Sequence, residues 1–180
     1  MPGQDHRPLP RRAPTEWIDG MSGNAFVGDQ VLVAVSFDAA RARLKRLAGD
    51  GVLLGAAECA YGEGITGLAE ETRPAARLCR LTGVRPRNLA ERGDRARLAL
   101  RWEAIGPDGT VFPALDADLT LSPAGEATTM LTLAGVYRLP GQAAAGPDPA
   151  GVRCVAALTI RCFIARLACA LMHPAGSAPG

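Results

Sequence analysis

The sequence is poor in the residues from which active sites are most readily assembled. Histidine occurs twice, as His6 and His173, tyrosine twice, as Tyr61 and Tyr137, and aromatic residues make up only 4% of the chain. The five cysteines, Cys59, Cys79, Cys154, Cys162 and Cys169, form no C-x-x-C pair. With so few imidazoles no zinc set can be written, and neither a metal nor a nucleotide cofactor is expected. Lysine is almost lacking: Lys45 is the single one, and the rest of the basic side is arginine. A net charge of +2, on arginines scattered from Arg7 to Arg166 with no interleaved aromatics, provides no polyanion-binding surface. Nucleic acid is therefore not an expected partner. The opening MPGQDHRPLPRRAP has no apolar h-region, so no secretory signal is expected. Apolar runs fall short of a membrane span, so no stable membrane insertion is expected, and a reducing cytoplasm is the natural setting for these cysteines.

What is present is material for one core. The chain has 180 residues and a hydrophobic content of 48%, enough for a single domain. Residues 1–25, rich in Pro, Arg and Gly, read as a mobile tail whose one anchor is TEWI, with Trp17 and Ile18. Residues 26–174 read as the domain and 175–180 as a short disordered tail. VLVAVSF, Val31 to Phe37, is a buried strand. Asp38 then caps a helix, AARARLKRLAG, that Gly49 ends, and a second, LLGAAECAY, closes at the glycines after Tyr61. Five strands follow: ITGLAE and ARLCRLTGV as a hairpin about Arg73–Pro74, then RARLALRWEAI, VFPALDADLTL and ATTMLTLAGVYRL, with turns at GPDG and SPAGE. The last element is a helix of about 25 residues, about 40 Å long, from the Asp148–Pro149 start to Pro174. It is apolar on almost every side and so has to be covered.

Paired carboxylates at Asp116 and Asp118 raise the question of acid–base chemistry. Register answers it. Keeping the apolar faces together places Trp102 beside Leu115 and Arg101 beside Asp116, and folding the next strand back through SPAGE aligns Leu119 with Thr129 and Leu115 with Leu133. The aspartates then face away from the core beside Arg101, as a solvated strand face. GEGITG, Gly62 to Gly67, is a literal G-x-G-x-x-G, but a helix precedes it and Glu63 repels phosphate. It reads as a helix-to-strand turn.

One strand, two helices, a run of antiparallel strands and a long C-terminal helix is the element order of the helix-grip fold. On that order, and on the phrases AECAYGEGITGL, LALRWEAIGPDGTVFPALDADLTL and TLAGVYRLPG, residues 27–173 resemble the SRPBCC superfamily of START domains, Bet v 1-like proteins and polyketide cyclases or aromatases. The resemblance implies an α+β domain: a curved antiparallel sheet of about six strands wrapped around the C-terminal helix, often with an apolar cavity between them. It does not select an activity.

Three readings follow. The leading one is binding or carriage of a small hydrophobic molecule (a lipid, isoprenoid or polyketide). The inward side chains Leu98, Leu100, Trp102, Leu115, Leu131, Leu133 and Tyr137 would line the cavity, with Phe163 or Leu167 beneath and Tyr61 and Tyr137 supplying hydroxyls. The second is a cyclase- or aromatase-like enzyme, for which Glu58, Tyr61, Tyr137 and Cys79 are the candidate proton-handling groups and no complete catalytic set can be assembled. The third is an interaction module, a homodimer through the outward Met130, Ala134 and Val136, unless Trp17 and Ile18 cover them. The loop QAAAGPDPAG, into the last helix, is a candidate gate.

Overall fold

Strict alternation of apolar and polar residues in three long segments determines which way the sheet faces. The computed structural model describes residues 24–66, 80–87, 89–106, 109, 111–138 and 149–173. The elements are β1 (Asn24–Val33), α1 (Phe37–Gly49), α2 (Val52–Thr66), β2 (Arg80–Pro86), β3 (Ala90–Arg92), β4 (Arg95–Ile105), β5 (Val111–Gly125), β6 (Thr128–Arg138) and α3 (Pro149–Met172). The strands form one curved antiparallel sheet in the order β1-β6-β5-β4-β2, with β3 on the same edge of β4 as β2. Its inner face carries α3, flanked by α1 and α2. This is the expected α+β helix-grip arrangement, with six strands.

The inner face is a continuous apolar layer. Leu98, Leu100, Trp102 and Ala104 of β4 meet Leu115, Ala117, Leu119 and Leu121 of β5 and Leu131, Leu133 and Tyr137 of β6, all buried. From α3, Val155, Ile160, Phe163, Ile164, Leu167 and Leu171 pack on to it. Trp102 and Phe163 meet edge to face, centroids 5.0 Å apart, an arrangement worth about 0.5–1.5 kcal/mol beyond area burial. β5 is a central strand that nonetheless holds two prolines. Each sits at a register shift, Pro113 opposite Glu103 and Pro123 beside Gly125, where the ladder does not need their missing N–H. Gly135 lets β6 close on β5, since a Cβ there would lie 2.3 Å from the Asp116 carbonyl oxygen.

Several expectations need correction. β1 begins at Asn24 rather than Val31, taking in the last two residues assigned to the tail, and Phe37 already belongs to α1. The apolar run VLVAV misplaced the strand because its N-terminal half alternates with Phe26, Gly28 and Gln30, which face outward. Ser36, not Asp38, stands at the α1 N-cap, with Asp38 in the first turn. β4 and β5 pair as derived, Trp102 with Leu115 and Arg101 with Asp116. The β5–β6 register, however, is four residues away: Leu115 opposes Tyr137 and Leu119 opposes Leu133, because β5 runs on through Ser122–Gly125 before turning at Glu126–Ala127. An even shift leaves every face assignment intact.

The main correction concerns α2. It does not stop at the glycines but continues through Gly62, Glu63, Gly64 and Ile65 to Thr66, so GEGIT is helix and not a turn. Gly64 is where α2 crosses α3: a Cβ added there would lie 1.8 Å from Thr159 Oγ1. The strand expected at ITGLAE is therefore helical at Ile65 and Thr66. Its remainder, the Arg73–Pro74 hairpin, Cys79, the Trp17–Ile18 anchor, the Asp148 cap and most of the Gly141–Gly151 loop lie outside the described residues. α3 is also less fully covered than its composition implied. About half of Arg153–Met172 is buried, and the outer side carries Arg161, Ala165, Arg166 and a half-exposed Leu158. By length and mean hydropathy, 1.9 over those residues, this helix is long and apolar enough to cross a membrane, contrary to the expectation from run length. Here it is the core helix.

The helix ends are tied down from neighbouring elements. Arg43 of α1 donates to the Leu171 carbonyl at the C-terminus of α3, where backbone acceptors lack helical partners and a cation is favoured. The buried Thr129 hydroxyl donates to the Val35 carbonyl at 2.7 Å, fixing the bend from β1 into α1.

Gly64→Ala should lower the urea midpoint, by the equivalent of about 1–3 kcal/mol for overpacking. Gly62→Ala, two residues away with open space around its Cβ, should be neutral or stabilising by up to about 1 kcal/mol. Chemical denaturation of the two variants side by side checks this.

Candidate functional site

α2 supplies the site through the residues it buries. Its small residues, Ala57, Ala60 and Gly64, turn inward against α3, while Tyr61 and Ile65 reach the core beside the sheet edge at β2. Between α2 and β2 runs a groove of about 390 Å³, lined by Glu58, Tyr61, Ile65, Thr66, Arg80 and Leu81. Tyr61 and Ile65 are 3% and 6% exposed and belong to the same apolar cluster as Trp102 and Phe163, so the groove is floored by the core itself. Glu58 and Tyr61, three residues apart on α2, both line this one groove.

The other expected ligand residues lie deeper. Trp102, Leu115, Leu133, Tyr137 and Phe163 are 0% exposed and Leu100 is 2% exposed, packed against one another between sheet and α3. Among the described residues the buried Trp102 indole Nε1, and the Thr159 hydroxyl at the α2–α3 crossing, have no hydrogen-bond partner. A buried donor left unmatched costs about 1–3 kcal/mol, so the interior carries polar atoms that an acceptor-bearing guest would satisfy.

The outer surfaces are accounted for by ion pairs. Asp116 accepts from Arg138 at 2.8 Å with Arg101 3.7 Å away, and Asp118 accepts from Arg97 at 2.6 Å. The two carboxylates are thus cross-strand partners of arginines on the outer sheet face, as register required. Arg138 is one of those partners. The hydrogen bond that Arg97 donates to Asp118 also holds the Arg97 pKa above its ordinary value.

On the helical side Glu63 bridges α2 to α3. It lies against the Cys162 thiol and pairs with Arg166. The thiol contact first, and then the guanidinium, hold the Glu63 carboxyl below its ordinary value; the same carboxylate pushes the Cys162 thiol up. Sequence reasoning had read Glu63 only as an obstacle to phosphate. Its spacing from Cys59 and that of Arg166 from Cys162, both i to i+4, was the available signal. Among the described residues no cluster of His, Cys, Asp or Glu has the geometry to hold a metal ion.

The fold and the groove together define a helix-grip α+β protein with an apolar recess at the α2–β2 junction. No family model and no curated protein matches the sequence. Among solved structures the chain is similar to TTHA0849 from Thermus thermophilus, at 14% identity and a TM-score of 0.41 over 86% of this chain and 100% of that one. It is also similar to the Zhui aromatase/cyclase from a Streptomyces species, at 15% identity and a TM-score of 0.36 over 86% and 99%. A START superfamily protein from Mycobacterium smegmatis aligns at 16% identity and a TM-score of 0.34 over 81% and 96%. These likenesses carry no functional argument of their own, so function has to be read from the side chains of this chain.

Because the Glu63 carboxyl is held low, folding favours its charged form. Its contribution is present above the pKa of an unfolded glutamate and is lost as pH falls through the lower folded value. Wild type should therefore melt above Glu63→Gln at neutral pH, with the gap closing below about pH 4. Both groups are exposed, so the effect is small and shrinks with salt. Thermal melts of the pair across pH provide the check.

Proposed function

We propose that the protein binds or carries a small hydrophobic molecule between the sheet and the C-terminal helix, admitted at the α2–β2 groove. The observation that carries this is the continuity of that groove with the core: its floor, Tyr61 and Ile65, is part of the apolar cluster and not a separate surface depression. Its volume falls within the range typical of small-molecule pockets, about 300–1,000 Å³. Leu81 forms the opposite wall on β2, and Arg80 and Glu58 rim the mouth. Leu100, Trp102, Leu115, Leu133, Tyr137 and Phe163, in the same apolar cluster as Tyr61, would surround the guest, and the Trp102 Nε1, without a partner among the described residues, would favour guests that bear a carbonyl or hydroxyl oxygen, as oxygenated isoprenoids and polyketides do. An enzyme working on the same guest would draw on Glu58 and Tyr61, the carboxylate and phenol that share the groove.

A second reading, self-association, is favoured by the outer face at the β1 edge. Phe26 is 70% exposed and Leu32 57%, and they stand opposite Val136 and Met130 of β6, which extends the apolar surface expected from β6 alone. That face is suited to a second copy of the chain.

Native mass spectrometry of the purified protein, followed by solvent extraction, should reveal a near-stoichiometric apolar guest. Titration of the extracted protein with the neutral dye Nile red should give saturable binding that Ile65→Arg weakens at least about tenfold, because a guanidinium cannot be buried unpaired in that floor. A clean mass together with dye binding unaffected by Ile65→Arg would contradict the reading.

A further inference from the structure

We infer that a second groove, between α1 and the β2–β4 sheet edge, is a binding site for a small anionic amphiphile: an apolar tail ending in a carboxylate or similar head group. This site does not rest on the α2–β2 groove or on its guest. Its volume is about 420 Å³. Its floor is Leu44 of α1 and Leu98 of β4, 0% and 2% exposed, with Leu89 beside them, so an apolar tail laid in it would meet core side chains.

Charge defines the head group. Two cations, Lys45 and Arg87, line the groove, and among the described residues neither has an ion-pair partner. The Arg87 backbone is held in place by its N–H donating to the Ala99 carbonyl at 2.8 Å, which fixes where that side chain starts. The one carboxylate in the lining, Glu91, is already neutralised by Arg41 at 3.1 Å. The C-terminal end of α1, where the Asp50 N–H engages the Arg46 carbonyl at 3.0 Å, adds some negative potential. The groove is therefore left with two unmatched positive charges above an apolar floor. A neutral lipid would leave those charges unused, and a cation would be repelled.

Composition sharpens the point. The chain has 20 Lys and Arg residues and only one of them is lysine; that one lines this groove. Lys45 has a compact ammonium on a long apolar stem that can lie along the tail while the head group is met at its end.

The solitary lysine also makes the test simple. Decanoate and decanol share a tail and differ in charge. Isothermal titration of the full chain should show decanoate binding at least about tenfold tighter than decanol, with the preference falling as salt rises. Lys45→Gln/Arg87→Gln should bring decanoate down to the level of decanol. Acylation of Lys45 by an N-hydroxysuccinimide ester, read by peptide mass spectrometry, should slow in decanoate and not in decanol. Equal affinity for the two probes, or unchanged acylation of Lys45 at saturating decanoate, would overturn the assignment. Retention of the preference in the double variant would overturn it as well.

Discussion

The structure depends on how a 24-residue helix with few polar side chains is covered. The sheet covers one side of α3. The adjoining side is closed by α2, and only because Gly64 presents no side chain where Thr159 projects its hydroxyl, 1.8 Å from where a Cβ would stand. A close helix crossing of this kind excludes water from the Thr159 layer and lets the Glu63–Arg166 pair form on the solvent side of the same contact. α2 also lines the groove beside β2, so core and candidate site share this helix.

Seen in this way, the glycine-rich phrase has a physical meaning that its pattern concealed. G-x-G-x-x-G read as a string suggests a backbone that approaches a ligand. In the fold, its second glycine lets one helix approach another. Helix propensity argued for ending α2 at Gly62, since each glycine in a helix costs up to about 1 kcal/mol relative to alanine. Burial of Tyr61 and Ile65 on either side of Gly64 outweighed that preference.

Much of the fold was legible because period-two alternation is unambiguous in β4, β5 and β6. It placed Asp116 and Asp118 outward and Trp102, Leu115 and Leu133 inward without any knowledge of pairing partners. Turn position was less legible: Pro123 reads as a strand breaker, but it sits at a bulge and the strand runs on to Gly125. The start of β1 was hidden because Phe26 and Leu32, apolar residues on the outer face, blur the alternation. Of the residues that line the α2–β2 groove, Glu58 and Tyr61 were named from the sequence as candidate proton-handling groups. Ile65, Arg80 and Leu81 were not, since they became neighbours of Tyr61 only through the continuation of α2 and its packing beside β2. The groove at Lys45 and Arg87 brings together residues more than forty positions apart and left no local trace beyond the rarity of lysine.

The central claim is that the Gly64–Thr159 contact sets the closure of α2 on α3. A double-mutant cycle on Gly64→Ala and Thr159→Ala, read by urea unfolding, tests it most directly. Thr159→Ala removes the unmatched hydroxyl that the new methyl would meet, so the double variant should recover most of the stability lost in Gly64→Ala. The expected coupling is about 1 kcal/mol or more, within the range seen for residues in contact. Strict additivity of the two substitutions would mean that α2 and α3 do not meet at these residues, and the account of both core and groove would fail.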